Sequence, residues 1–166
     1  MKSRNKELGA QSAMVIQQLK DPSERQKVSR SILEDLPEWF GIPEAREEYI
    51  AECAHQQMFC AYDDGSPIGF LSLKETSKDT LELYVLGVLK SFHRKGVGRA
   101  LFLCAKEMAI RQGYSFLQVK TVQMGKYESY DRTNRFYLSL GFKELEVFPT
   151  LWDEWNPCQI YIMGLN

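Results

Sequence analysis

The segment "VLKSFHRKGVGRALF", residues 88–102, restricts this chain more than any other. An apolar, strand-like run ends at Leu89, and apolar residues at helical spacing begin at Val97. Between them stand Gly96 and Gly98, with Lys90, His93, Arg94, Lys95 and Arg99 in or beside the turn and no acid. A glycine turn opening a helix exposes backbone N–H groups that, with the helix dipole behind them, hold phosphates. A plain helix start with no ligand is the simplest reading. A Walker loop requires Gly-x-x-x-x-Gly-Lys-[Ser/Thr], and the Lys–Ser/Thr pair is missing. A dinucleotide fingerprint requires a third glycine where Leu101 stands, directly after a first parallel strand. The remaining ligand class is a cofactor that carries a pyrophosphate on a different fold.

The hydrophobic period changes along the chain and sets the elements around this turn. "AMVIQQL" (13–19) reads as a first strand. Asp21 before Pro22 signals a helix start, and Val28, Ile32 and Leu36 give it one apolar stripe. "PEWFGIP" reads as a break, and Pro43 opens a second helix. Two strands then flank a tight turn at Asp63–Pro67, and residues 79–89 form a third strand beside them. Val97, Leu101, Cys104 and Met108 mark one face of a helix ending near Gly113. A strand at 114–122, a short helix ended by Gly141 and two last strands complete the order β-α-α-β-β-β-α-β-α-β-β. One α/β domain with a mixed sheet follows, over residues 13–166, with residues 1–12 as a polar, flexible tail.

Composition removes several classes of function. A net charge of −1 implies no general attraction to nucleic acid or membrane. No run reaches the ~20 apolar residues of a membrane span. The N-terminus lacks the apolar core of a signal peptide, so a cytoplasmic protein is expected. The four cysteines, Cys53, Cys60, Cys104 and Cys158, form no Cys-x-x-Cys, and only His55 and His93 could join them at a metal. Unpaired thiols and no metal site are expected.

"VLKSFHRKGVGRAL" resembles the acetyl-CoA signature of the GNAT superfamily of N-acetyltransferases. In that signature a strand leads to [Gln/Arg]-x-x-Gly-x-[Gly/Ala] at a helix start. His93 stands at the Gln/Arg position, with Gly96 and Gly98 at the small ones. "FYLSLGF" (136–142) resembles the second mark of that superfamily. A narrower stretch, "VKTV…YDRTNRFYLSLGF…LWDEWNPC", resembles a bacterial GNAT subgroup with a Trp…Asn-Pro-Cys block, which brings no substrate with it. The resemblance implies a single-domain α/β (α+β) fold. Its mixed, mostly antiparallel sheet of six to seven strands would have splayed central strands and about four flanking helices. It also admits a homodimer.

What the resemblance implies can be placed residue by residue. The turn from His93 through Arg94, Lys95, Gly96, Val97 and Gly98 to Arg99 would take the pyrophosphate of acetyl-CoA. Leu86, Gly87 and Val88 would pair with the pantetheine arm, and an N–H near Leu86 or Val88 would stabilise charge growing on the thioester oxygen. Tyr137 matches the tyrosine that protonates the leaving thiolate. Many relatives carry an asparagine seven residues earlier, where this chain has Tyr130, so the coenzyme contact passes to the nearest asparagine, Asn134. An acceptor amine must lose a proton before it attacks. Glu82 is the candidate base: strand alternation puts Glu82, Tyr84, Leu86 and Val88 on one face, and a base acting through water is equally allowed. Trp39, Phe40, Tyr84, Tyr127 and Trp152 are candidate acceptor contacts, suited to a cationic amine. The expected activity is acetyl transfer from acetyl-CoA to a primary amine of a small molecule, by direct attack in a ternary complex. Acetylation of a protein lysine or N-terminus, and a non-catalytic acyl-CoA sensor, are the alternatives.

Overall fold

The computed structural model describes residues 14–166. The flexible tail expected at residues 1–12 lies outside them. The chain runs β1 (Met14–Leu19), α1 (Pro22–Leu33), α2 (Pro37–Phe40), α3 (Pro43–Cys53), β2 (Gln57–Asp63), β3 (Ser66–Ser77), β4 (Thr80–Val88), α4 (Val97–Arg111), β5 (Phe116–Val122), α5 (Glu128–Ser139), β6 (Lys143–Phe148) and β7 (Cys158–Gly164). One seven-stranded sheet has the order β1-β2-β3-β4-β5-β7-β6. Every neighbouring pair is antiparallel except β4 and β5.

Local chemistry explains the boundaries. Asp21 caps α1, its carboxylate accepting from Ser23 N–H at 2.8 Å, and Pro22 takes the first helical position. Asp64 and Gly65 join β2 to β3 with φ of 48° and 78°, the two left-handed positions of a two-residue I′ hairpin. "PEWF" forms the short helix α2 where a plain break was expected: Pro37 opens it, and Phe40 N–H closes a turn onto Leu36 O.

Two apolar layers sandwich the sheet. One packs Val97, Leu101, Phe102, Ala105 and Met108 of α4, with Tyr137 of α5, against Leu71, Leu83 and Val119. The other packs Val28, Ile32 and Leu33 of α1, with Ile50 of α3, against Met58, Phe70 and Val85. The four cysteines are unpaired.

The parallel pairing of β4 with β5 covers three positions, Thr80 with Phe116, Leu81 with Leu117 and Glu82 with Gln118. Beyond them β5 stays with β7 as far as Val122, and β4 stays with β3 as far as Val88. A notch therefore opens in the middle of the sheet, with Glu82 at its apex.

Candidate functional site

The turn between β4 and α4 closes one end of the notch. Arg94 has φ of 60° and Gly96 φ of 80°, so the chain alternates hand just before the helix. This shape gathers N–H groups into a concavity that suits an anion. Among the described residues, the N–H groups of Arg94, Lys95, Gly96, Val97, Gly98 and Arg99 take no hydrogen-bond partner, and the first helical bond runs from Ala100 to Gly96. No side chain caps this helix, and no acid stands in its first turn. Arg94 and Arg99 are exposed beside it, whereas Lys90 is paired with Glu38 of α2 and Lys95 lies over the Phe92 ring. Gly98 faces Phe136 of α5, where a Cβ would meet the ring at 3.1 Å.

His93 behaves differently from its neighbours in the turn. Its own N–H is bonded to Lys90 O, and its Nε2 donates to Val88 O at 2.6 Å while the ring meets Trp39 edge-on. This residue braces the turn to β4 and α2, and the six amides that follow it stay unpartnered among the described residues.

Pairing along β4 shows which backbone groups face the notch. Leu89 N–H bonds to Ile68 O, so in this antiparallel register Gly87 also exchanges its bonds with Phe70 of β3. Leu86 and Val88 are the alternate residues, and their N–H and C=O groups point away from β3 into the notch. The Gly87 backbone is turned the other way, and a Cβ there would press on Ile32 and Phe70.

A bulge corrects the alternation expected for β4. Ser72 pairs with Val85 but Leu73 pairs with Leu83, leaving Tyr84 as the extra residue. Tyr84 and Val85 both pack on the α1/α3 side, and Leu86 and Val88 turn to the α4/α5 side. Glu82 and Tyr84 therefore share a face that Leu86 and Val88 do not. The bulge thus turns the side chains of β4 over from one face of the sheet to the other.

Glu82 is 3% exposed. Gln118 Nε2 donates to its Oε1 at 3.0 Å, and Lys120 Nζ lies 3.2 Å from the same oxygen. Oε2 has no partner among the described residues. It is also absent from the polar atoms that are both sealed and unpartnered, which are Arg46 Nε and Gln56 Nε2. Oε2 therefore keeps some accessible surface.

Tyr137 is 6% exposed and packs against Phe136, Phe142 and Tyr161. Burial pushes its hydroxyl well above the usual tyrosine range, so it stays protonated. The hydroxyl has no partner among the described residues and is not sealed, which leaves it free to donate to a ligand.

Asn134, expected to contact the cofactor, is held by partners inside the fold. It is wholly buried, its Nδ2 donating to Val122 O at 2.9 Å and to Tyr130 O at 2.7 Å, and its Oδ1 accepting from the Tyr161 hydroxyl at 2.6 Å. Both amide protons are satisfied inside the protein, so this residue fastens α5 to the end of β5 and the middle of β7.

Aromatic rings collect on the α1/α3 side. Phe40 meets Tyr49 at 5.8 Å, and Tyr49 meets Tyr84 at 5.5 Å. Tyr130 donates to Trp39 O at 3.2 Å and meets Tyr127 at a tilt, with ring centroids 6.1 Å apart. The structure thus brings together Trp39, Phe40, Tyr84 and Tyr127. Trp152 stands apart, 45% exposed in the β6–β7 loop and without a ring contact. Tyr49, Gln118 and Lys120 were missed in the sequence. The signal for Lys120 was the one charge in strand β5, two residues after Gln118.

No helix among the described residues is long and apolar enough to cross a membrane. Nor does a group of three or more His, Cys, Asp or Glu that could hold a metal occur among them.

The family model "Acetyltransferase (GNAT) domain" matches residues 54–144, from the end of α3 to the start of β6. A GNAT-family structure from Desulfovibrio desulfuricans is similar over 93% of this chain and 100% of its own, at 20% identity and a TM-score of 0.79. An aminoglycoside 6'-N-acetyltransferase complexed with coenzyme A matches over 92% of this chain and 97% of its own, at 16% identity and a TM-score of 0.71. A Salmonella typhimurium protein with its cofactor acetyl-CoA matches over 93% and 95%, at 16% identity and a TM-score of 0.71. At these identities the likeness is one of fold.

Proposed function

This chain belongs to the GNAT acetyltransferase family, and from that premise we propose that it moves an acetyl group from acetyl-CoA to a primary amine of a small molecule within one ternary complex. The observation that carries the reading is the row of six unpartnered N–H groups from Arg94 to Arg99 at the end of the notch. Acetyl-CoA would supply the activated thioester. Arg94 to Arg99, with the α4 dipole behind them, hold its pyrophosphate. The N–H groups of Leu86 and Val88 line the path of its arm and can receive charge that grows on the acyl oxygen.

The two titratable groups divide the proton work. On the acceptor side, Glu82 Oε2 takes the proton that the amine must lose. On the other side, Tyr137 donates a proton to the departing sulfur. The Phe40–Tyr49–Tyr84 contacts support a compact acceptor, since they wall the α1/α3 side with rings.

Thermal unfolding with acetyl-CoA, coenzyme A and ATP tests the donor half. A ligand at ~100 times its Kd adds ~2.7 kcal/mol and raises the midpoint by several degrees. A shift with acetyl-CoA and coenzyme A but not with ATP is expected, followed by thiol release in a panel of primary amines. An equal shift with ATP, or none with any of the three, would remove the basis of the reading.

A further inference from the structure

Two side chains of β5 converge on Glu82, and the inference drawn from them rests on the reading of Glu82 as the base. Gln118 is the register partner of Glu82, and Lys120, two residues on, projects from the same face. Both reach Oε1, at 3.0 Å and 3.2 Å, and neither touches Oε2. Other ionisable groups face this site from each neighbouring element. Lys74 stands opposite Glu82 in β3, but its ammonium lies 5.2 Å over the Tyr84 ring. Tyr49 from α3 and Cys158 from β7 each feel the Glu82 charge. Lys120 is the one cation in ion-pair contact with Glu82 among the described residues.

We propose that Lys120, helped by Gln118, is the positioning residue of Glu82: it pairs the buried carboxylate and holds Oε1 so that Oε2 faces the notch. A carboxylate taken almost wholly out of water is unfavourable unless paired. A residue two positions past the last paired position of β5 provides that pairing without closing the notch. Lys120 itself stays one-third exposed, at 33%, and so keeps part of its hydration. In the step itself an N–H bond of the acceptor ammonium breaks, its electron pair stays on nitrogen, and the proton passes to Oε2. Glu82 then returns the proton to solvent before the next turnover.

The test reads Glu82 directly and needs no acceptor. Carbon-13 NMR of the full chain labelled at the glutamate carboxyl follows the Glu82 resonance at neutral pH, assigned through Glu82→Gln. Removing a cation in ion-pair contact changes the field at a carboxylate. In Lys120→Met the Glu82 resonance is therefore expected to leave its wild-type position, and Lys120→Arg is expected to return it. An unchanged Glu82 resonance in Lys120→Met, or one that Lys120→Arg does not bring back, overturns the proposal. The base reading fails separately, if Glu82→Gln releases thiol from acetyl-CoA as fast as the wild type with an amine that the wild type turns over.

Discussion

His93 Nε2 lies 2.6 Å from Val88 O, joining the turn before α4 to the last residue of β4. That carbonyl faces the notch, so the imidazole caps the free edge of the strand at its outer end. The six amides beyond His93 need none of its atoms. His93→Ala is accordingly expected to cost about 0.5–1 kcal/mol in urea unfolding, the net value of one hydrogen bond near the surface. Coenzyme A affinity should change by less than ~3-fold, about 0.7 kcal/mol. Calorimetric titration decides the matter: a loss of ~10-fold or more would mean that the side chain itself meets the ligand.

Gly96 and Gly98 are required for different reasons, and alanine at each position separates them. A Cβ at 96 meets nothing within 4 Å, but φ there is +80°. Gly96→Ala should cost ~1–2 kcal/mol of backbone strain and shift the amide row, weakening coenzyme A ~10-fold. A Cβ at 98 instead presses on the far end of the Phe136 ring at 3.1 Å. Gly98→Ala should therefore need only a small shift of α5, and Gly98→Val a larger one. If Gly96→Ala bound coenzyme A as well as the wild type, the row of amides would not be the anchor.

The elements of this fold were legible because each is set within a few residues. Asp21 caps the next turn, Asp64–Gly65 bends two adjacent strands, and Gly96 opens the helix that follows it. What could not be read depends on register between distant strands. The bulge at Tyr84 exists only against β3, and no local pattern in "LELYVLGV" announces it. Alternation alone therefore put Leu86 and Val88 on the face of Glu82. Lys120 meets Glu82 because β4 and β5 run side by side for three positions and then part. Asn134 looked like a cofactor ligand because its partners, Val122, Tyr130 and Tyr161, come from three separate segments that only the folded sheet and α5 bring together.

Asn134 as an internal fastener gives a stability prediction in place of a binding one. Asn134→Ala orphans the carbonyl of Val122 and the hydroxyl of Tyr161, while the Tyr130 carbonyl keeps its helical partner. Each buried polar group left unpaired costs ~1–3 kcal/mol, so a loss of at least ~2 kcal/mol is expected in denaturant unfolding. In a double-mutant cycle, Tyr161→Phe should recover part of that loss, because the stranded hydroxyl is gone. Coenzyme A affinity of the folded variant should stay within ~3-fold of wild type. A large affinity loss without a stability loss would restore the cofactor role.

Buried thiols make the fold sensitive to alkali. Burial raises Cys60 and Cys158 to about 11 each, and both side chains lie wholly inside. Between the unfolded value of ~8.5 and 11 the unfolded chain releases these protons while the folded chain keeps them. The folded state then binds more protons, so stability present below pH ~8.5 falls as pH rises towards 11. Urea midpoints at pH 7, 9 and 10.5 should decline. The double variant Cys60→Ala/Cys158→Ala should show a shallower decline from its own pH 7 value. An equal slope in both proteins would assign the alkaline loss to other groups.

Tyr137→Phe separates proton donation from packing at the centre of the site. The ring fills the space between Phe142 and Tyr161, and phenylalanine keeps that contact. The hydroxyl has no partner among the described residues, so its removal leaves none of their buried groups stranded, and stability should change by less than ~0.5 kcal/mol. Coenzyme A affinity should stay within ~3-fold, because the amides of residues 94–99 are untouched. Turnover should fall ~100-fold or more, the range typical for loss of a positioned proton donor. Since burial holds this hydroxyl protonated well past the usual tyrosine range, wild-type activity should show no alkaline limb from Tyr137 below pH ~10. Thiol-release kinetics from pH 6 to 10 on both proteins checks each statement. A variant with wild-type turnover would leave the leaving sulfur to be protonated by solvent and reduce Tyr137 to a core aromatic.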